Sequence, residues 1–151
     1  MIKCRIHLVL LGLALGGAAP LPALPPALGP ESALPLAELP PQVLPAGACA
    51  MFLWERATRR RVLMATTTPP RIRIVHAGSL ENVERASAEG EPVLGFAPRA
   101  RYAAPGYAIA IDLAIAGNDA GGAVIRDGTI TFTAADGGAV VAPVAGLIGC
   151  N

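Results

Sequence analysis

Beyond residue 46 the chain holds one histidine, His76, two cysteines, Cys49 and Cys150, and no lysine. One imidazole cannot supply the three or four ligands of a zinc centre, and a blue-copper site needs two histidines and a free thiolate. Schiff-base chemistry has no lysine to use. A Ser-His-Asp triad can be written with Ser79 or Ser87, His76 and Asp112, yet neither serine lies in a G-x-S-x-G turn. Glu81, Glu84, Glu89 and Glu91 offer carboxylates for glycoside hydrolysis, but they crowd a polar stretch that reads as a solvated face. Gly117-Asn118-Asp119 with Gly121-Gly122 has the composition of one turn of a calcium β-roll, which needs stacked copies; a single copy is a hairpin loop. Phosphate-binding glycine loops, dinucleotide fingerprints and N-glycosylation sequons are missing from the sequence. The residues therefore nominate no catalytic group, cofactor or metal, and the expectation is a protein that is not an enzyme. A small hydrolase is the least favoured rival, and its mark would be a pocket in which His76 meets a carboxylate.

The cysteines depend on the compartment. Residues 1–19 carry Lys3 and Arg5, then an apolar run from Ile6 to Gly16, then small residues with Gly16 and Ala18 at the −3 and −1 positions of a cleavage site. This is the layout of a secretory signal peptide. The run falls short of the roughly 20 residues that cross a bilayer, and the prolines from Pro20 onward stop its extension. Export removes Cys4 and leaves Cys49 and Cys150, an even pair that reads as a disulfide in a periplasmic or secreted domain. Neither lies in a C-x-x-C motif or beside a histidine, so a redox-active role is not expected.

Arg56, Arg59, Arg60, Arg61, Arg71 and Arg73 fall in a span without an acid, whereas from His76 onward acids outnumber arginines. Arginine forks suit carboxylates and phosphates, so these six are a candidate anionic-ligand patch. The partner would be an anionic envelope component or another exported protein. The competing reading is a solvated strand face whose arginines blunt an edge. The formal charge of +1 argues against nucleic-acid binding, and the mature chain is expected to carry no transmembrane span. A charged fraction of 15% excludes a coiled coil and a charge-rich disordered chain.

The elements that would position these groups are strands. Residues 20–46 contain nine prolines among alanine and leucine and are expected to form a disordered linker. Residues 47–151 form one domain, in which the hydrophobic period is two. Tyr107 to Ile115, Thr129 to Thr133 and Arg71 to Val75 alternate, the arginines outward. Ala48 to Trp54, Arg61 to Thr66 and Ala139 to Val144 read as further strands, the last an edge because of Pro143, and Val93 to Phe96 as a short one. Asp127-Gly128 and Asp136-Gly137-Gly138 read as hairpin turns, with Asn118 to Gly122 as another loop. Leu80 to Ala88 fits helix or strand. Ala97 to Pro105, bounded by prolines and carrying two arginines and Tyr102, reads as an exposed loop, the feature an inhibitor of a secreted hydrolase would need. The expected fold is all-β, an antiparallel sandwich or barrel of about 6–9 strands.

Cys49-Ala-Met-Phe-Leu-Trp54 and Pro143-Val-Ala-Gly-Leu-Ile-Gly-Cys150, taken as a pair, resemble the two ends of small exported bacterial proteins of uncharacterised function. The resemblance implies a disulfide-closed β domain. It supplies no catalytic residue and no activity.

Overall fold

The computed structural model describes residues 31–117 and 121–151. The leader expected over 1–19 and the first part of the proline-rich stretch, 20–30, lie outside the described residues, as do Asn118, Asp119 and Ala120. Nine strands form among the described residues: β1 Leu36–Ala37, β2 Cys49–Glu55, β3 Arg61–Thr67, β4 Pro70–His76, β5 Ser79–Glu89, β6 Arg99–Ala104, β7 Tyr107–Gly117, β8 Ala123–Ala134 and β9 Ala139–Cys150. From β2 onward each strand pairs antiparallel with the next, and β9 returns to pair with β2. The result is a closed eight-stranded up-and-down barrel with β1 as an extra strand. Closure leaves these eight strands no long unpaired edge.

Period two explains the wall. In β7 the buried residues are Tyr107, Ile109, Ile111 and Leu113, while Ala108, Asp112 and Ala114 face out. Met51 and Leu53 of β2, Leu63 of β3, Ile72 and Ile74 of β4, Ile125 and Ile130 of β8 and Val144 of β9 meet them inside. Eight strands leave an interior that side chains just fill. Each fully buried large apolar side chain contributes about 1.5–3 kcal/mol. Where Leu53 and Ile125 converge, β9 has Gly146. A Cβ there would stand 2.3 Å from the Phe52 carbonyl oxygen and 2.7 Å from Leu53 Cδ2, so the β2–β9 seam closes only over a glycine.

The proline-rich stretch is not a linker throughout. From Leu34 it is an arm built into the fold. Strand β3 covers only the first half of β4, from Pro70 to Arg73; β1 takes the second half, pairing Leu36 with His76 and Ala37 with Val75. The Leu39 N–H then reaches the Arg61 carbonyl at 2.6 Å. Leu34 and Leu36 enter the barrel core, whereas Leu39 packs outside on Ala50 and Met64 with Leu44, Phe52 and Val75 around them. Prolines forbid a long ladder, but two paired residues with leucines on either side need none.

Four further expectations are corrected. Asp127-Gly128 is no hairpin turn. It lies inside β8 at a bulge, where the β8–β9 register shifts between Ile125 and Gly128. A Cβ on Gly128 would meet Leu113 Cδ2 at 2.5 Å, so the glycine serves close strand approach. Pro143 marks no edge, since β9 is paired on both sides. It stands one residue past the last β2–β9 pair, Glu55 with Val144, and its carbonyl accepts the Arg56 N–H at 3.0 Å. Val93 to Phe96 is a two-residue turn closed by hydrogen bonds in both directions between its ends. Ala97 to Pro105 is not an exposed loop; most of it is β6, with Ala100 and Tyr102 buried. The ambiguous stretch from Leu80 to Ala88 is strand, within β5. The turn at Asp136 to Gly138 joins β8 to β9 as expected, with Gly137 at φ 87° and the Gly138 N–H on Asp136 Oδ1.

Candidate functional site

The strand directions give the barrel two ends. Turns β2–β3, β4–β5, β6–β7 and β8–β9 surround one, called the mouth here; the other, the base, carries the disulfide. Cys49 and Cys150 are direct register partners on the first and last barrel strands, bonded with their Cα atoms 3.9 Å apart. The Asn151 N–H donates to the Ala48 carbonyl beside them. The cysteines thus form the pair between ladder bonds, where facing side chains come closest.

The mouth holds a buried carboxylate. Glu55 is 1% exposed and faces inward at the end of β2. Its Oε1 accepts the Ala33 N–H at 3.0 Å and its Oε2 the Thr58 hydroxyl at 2.6 Å, which ties the arm to the β2–β3 turn. Burial opposes its charge, but bonds from Thr58, Ser32, Ala33 and Leu34 outweigh burial and hold its pKa below the ordinary value. A depressed carboxylate contributes stability that is present above its unfolded pKa and lost as pH falls through its folded one. The expected result is a thermal midpoint that declines below about pH 4.5, with Glu55→Gln flattening that decline. An equally steep decline in the variant would remove Glu55 as its source.

Across the mouth, His76 Nδ1 lies 3.4 Å from Glu81 Oε1, and the Tyr107 hydroxyl donates to Glu81 Oε2 at 2.5 Å. The His76 ring stands 4.5 Å from Tyr107 and 5.3 Å from Phe132. Burial, then the bond to Glu81 and its charge, raise the Tyr107 hydroxyl well above its ordinary range. Deeper in, burial pushes Tyr102 up to about 12, against a smaller opposing effect from Arg85. His76 therefore does meet a carboxylate, with its ring packed against Tyr107 and Phe132. Asp112 faces outward on β7, so the triad written with it does not assemble. Among the described residues no group of three or more His, Cys, Asp or Glu is placed to hold a metal ion.

The six arginines divide in two. Arg56, Arg59, Arg60 and Arg61 sit at the β2–β3 turn; Arg71 and Arg73 are on the outer face of β4, with Arg71 toward the base. Arg73 stands opposite Met64 and Arg71 opposite Thr66, three and five residues along β3 from Arg61 at about 3.3 Å each. Several guanidinium groups already have partners. Arg56 pairs with Asp127 at 2.7 Å and bonds the Arg126 carbonyl. Arg61 bonds the Leu39 carbonyl at 3.0 Å and lies 5.6 Å over the Phe52 ring. Arg73 donates through Nε to Asn82 and through Nη1 to Gln42. Among the described residues the side chains of Arg59, Arg60 and Arg71 have no such partner.

Next to the turn arginines lies an apolar outer wall that sequence reasoning missed. Register places Phe52, Leu147 and Val124 side by side across β2, β9 and β8, with Trp54 opposite Ala145 in the adjoining row. Leu147 and Val124 are each at least 40% exposed. Trp54, Leu147, Arg56 and Arg59 frame a shallow depression of about 550 Å³. Arg59 holds φ 58°, an uncommon setting for a side chain of its size. The alternation of β2 signals that Trp54 faces away from Met51 and Leu53. The Cys49–Cys150 pair signals that the end of the chain lies beside β2, but the strand read there stops at Val144, short of Ala145 and Leu147.

The chain matches no family model, and no curated protein or solved structure shows significant similarity to it.

Proposed function

We propose that this is an exported binding domain that docks on anionic lipid at the cell envelope, without catalysis. The observation that carries this reading is the apolar wall of Trp54, Leu147 and Val124 with the unpartnered Arg59 framing the depression beside it and Arg60 next in the same turn. Exposed apolar side chains beside cations complement a surface with a charged skin over hydrocarbon. The disulfide is consistent with an oxidising compartment, which supports placing the protein outside the cytoplasm.

The test is sedimentation with phosphatidylcholine vesicles, with and without phosphatidylglycerol. Binding is expected only with the anionic lipid and should weaken as salt is raised. Arg59→Gln and Arg60→Gln should each cost roughly fivefold, about 1 kcal/mol per arginine near the surface. Trp54→Ala should weaken binding without changing its salt dependence. Equal binding to neutral vesicles, or an unaltered Arg59→Gln/Arg60→Gln variant, would refute the reading.

A further inference from the structure

A second cavity, of about 390 Å³, lies toward the base between the arm, Val43 to Cys49, and the outer face of β3 and β4. Its lining is of two kinds. Leu44, Met64 and Leu94 give it apolar lining, and Thr66, Arg71 and Arg73 give it cationic and hydroxylic lining. No carboxylate lines it. We propose that this groove is a binding site for a small amphipathic carboxylate, a molecule with one anionic head and a short aliphatic or aryl body.

Arg71 and Arg73 are two residues apart on one strand and so share a face. Arg73 is oriented by neutral acceptors, Asn82 Oδ1 at 2.9 Å and Gln42 Oε1 at 2.8 Å. These fix its plane without cancelling its charge, and they leave Nη2 to donate. The Arg71 guanidinium has no partner among the described residues. Glu84 stands opposite it across the β4–β5 ladder but forms no ion pair with it. A carboxylate between the two forks would take the paired donors that arginine offers best.

Leu94 is the independent observation. The turn from Val93 to Phe96 has φ 51° at Leu94 and φ 84° at Gly95. A two-residue turn with both values positive favours asparagine, aspartate or glycine. A leucine there is strained, and it is 40% exposed where it overhangs the groove. Neither turn geometry nor core packing calls for it; an apolar ligand body beneath it does. Strained residues of this kind cluster at ligand sites.

The experiment is isothermal titration of the full oxidised chain with octanoate. Octanol and octylamine test the head, and inorganic phosphate tests the head without a body. Octanoate should bind saturably, and the other three at least tenfold more weakly. Arg71→Gln and Arg73→Gln should each weaken octanoate about tenfold, and Glu84→Gln should strengthen it. Leu94→Asn should raise the thermal midpoint while weakening octanoate, a divergence that a purely structural leucine would not produce. Arg59→Gln/Arg60→Gln should leave octanoate affinity unchanged, so failure at this groove and failure of lipid docking are read separately. Absence of saturable octanoate binding, octanol binding as tightly, or unchanged affinity in the Arg71 and Arg73 variants would overturn the proposal.

Discussion

Reducing the Cys49–Cys150 disulfide lowers the stability of the folded barrel by about 3–5 kcal/mol. The bond spans a sequence separation of 101 residues. In the chain-entropy picture a loop of that size is worth roughly 4.7 kcal/mol, because the oxidised unfolded chain has far fewer conformations to lose. A domain of this kind has about 5–15 kcal/mol in all, so the loss is a large fraction of the total. The seam itself remains seven register pairs long, from Cys49 with Cys150 to Glu55 with Val144. The reduced protein is therefore expected to stay folded at room temperature and to unfold at markedly lower urea. Cys150 is exposed, so reductant reaches the bond in the native state. The measurement is urea unfolding with and without reductant, repeated on Cys49→Ser/Cys150→Ser. Coincident midpoints would mean that the bond adds nothing to the ladder beside it.

The larger effect is expected from the arm. A fragment that begins at residue 47 should lose cooperative unfolding altogether. Removing residues 31–46 takes Leu34 and Leu36 out of the barrel core and Leu39 off Ala50 and Met64. The second half of β4 loses its partner on the β3 side. Glu55 loses the Ala33 N–H while remaining beside apolar side chains, and Arg61 loses the Leu39 carbonyl. A buried carboxylate that keeps Thr58 but loses a backbone donor is left short of the bonds that offset its desolvation. As a milder version, Leu36→Ala should cost about 2–5 kcal/mol, the usual range for a buried leucine. Thermal unfolding of the fragment beside the full chain decides it. Equal midpoints would return the arm to the status of a linker.

The sequence made some of this legible and hid the rest for physical reasons. Strands β4 and β7 are readable because their large residues alternate with small or polar ones, as in Tyr107-Ala-Ile109-Ala-Ile111, and β2 and β3 as short apolar runs either side of a polar turn. In β5 only Val83 is fully buried, so no apolar stripe distinguishes strand from helix. In β6 the inward residues are Ala100 and Tyr102, one too small to mark a face and one flanked by arginines. Asp127-Gly128 carries hairpin chemistry at a bulge, since both demand a residue without steric bulk. The arm was masked by composition: its three buried leucines lie among prolines that suggest disorder. The disulfide partners were identifiable by elimination. The division of the arginines was not, because it depends on which ends of β3 and β4 they occupy.

The path of the wall also governs the order in which the molecule can be made. Seven of the eight junctions between staves join sequence neighbours and can zip as soon as each hairpin exists. The eighth joins the first stave to the last, and Cys150 is the final residue of β9. At synthesis speeds of about 5–20 residues per second, Cys49 waits on the order of 5–20 seconds for its mate. The clasp is thus the concluding covalent step of manufacture, and the yield of correctly joined protein rests on how quietly that one sulfur can wait.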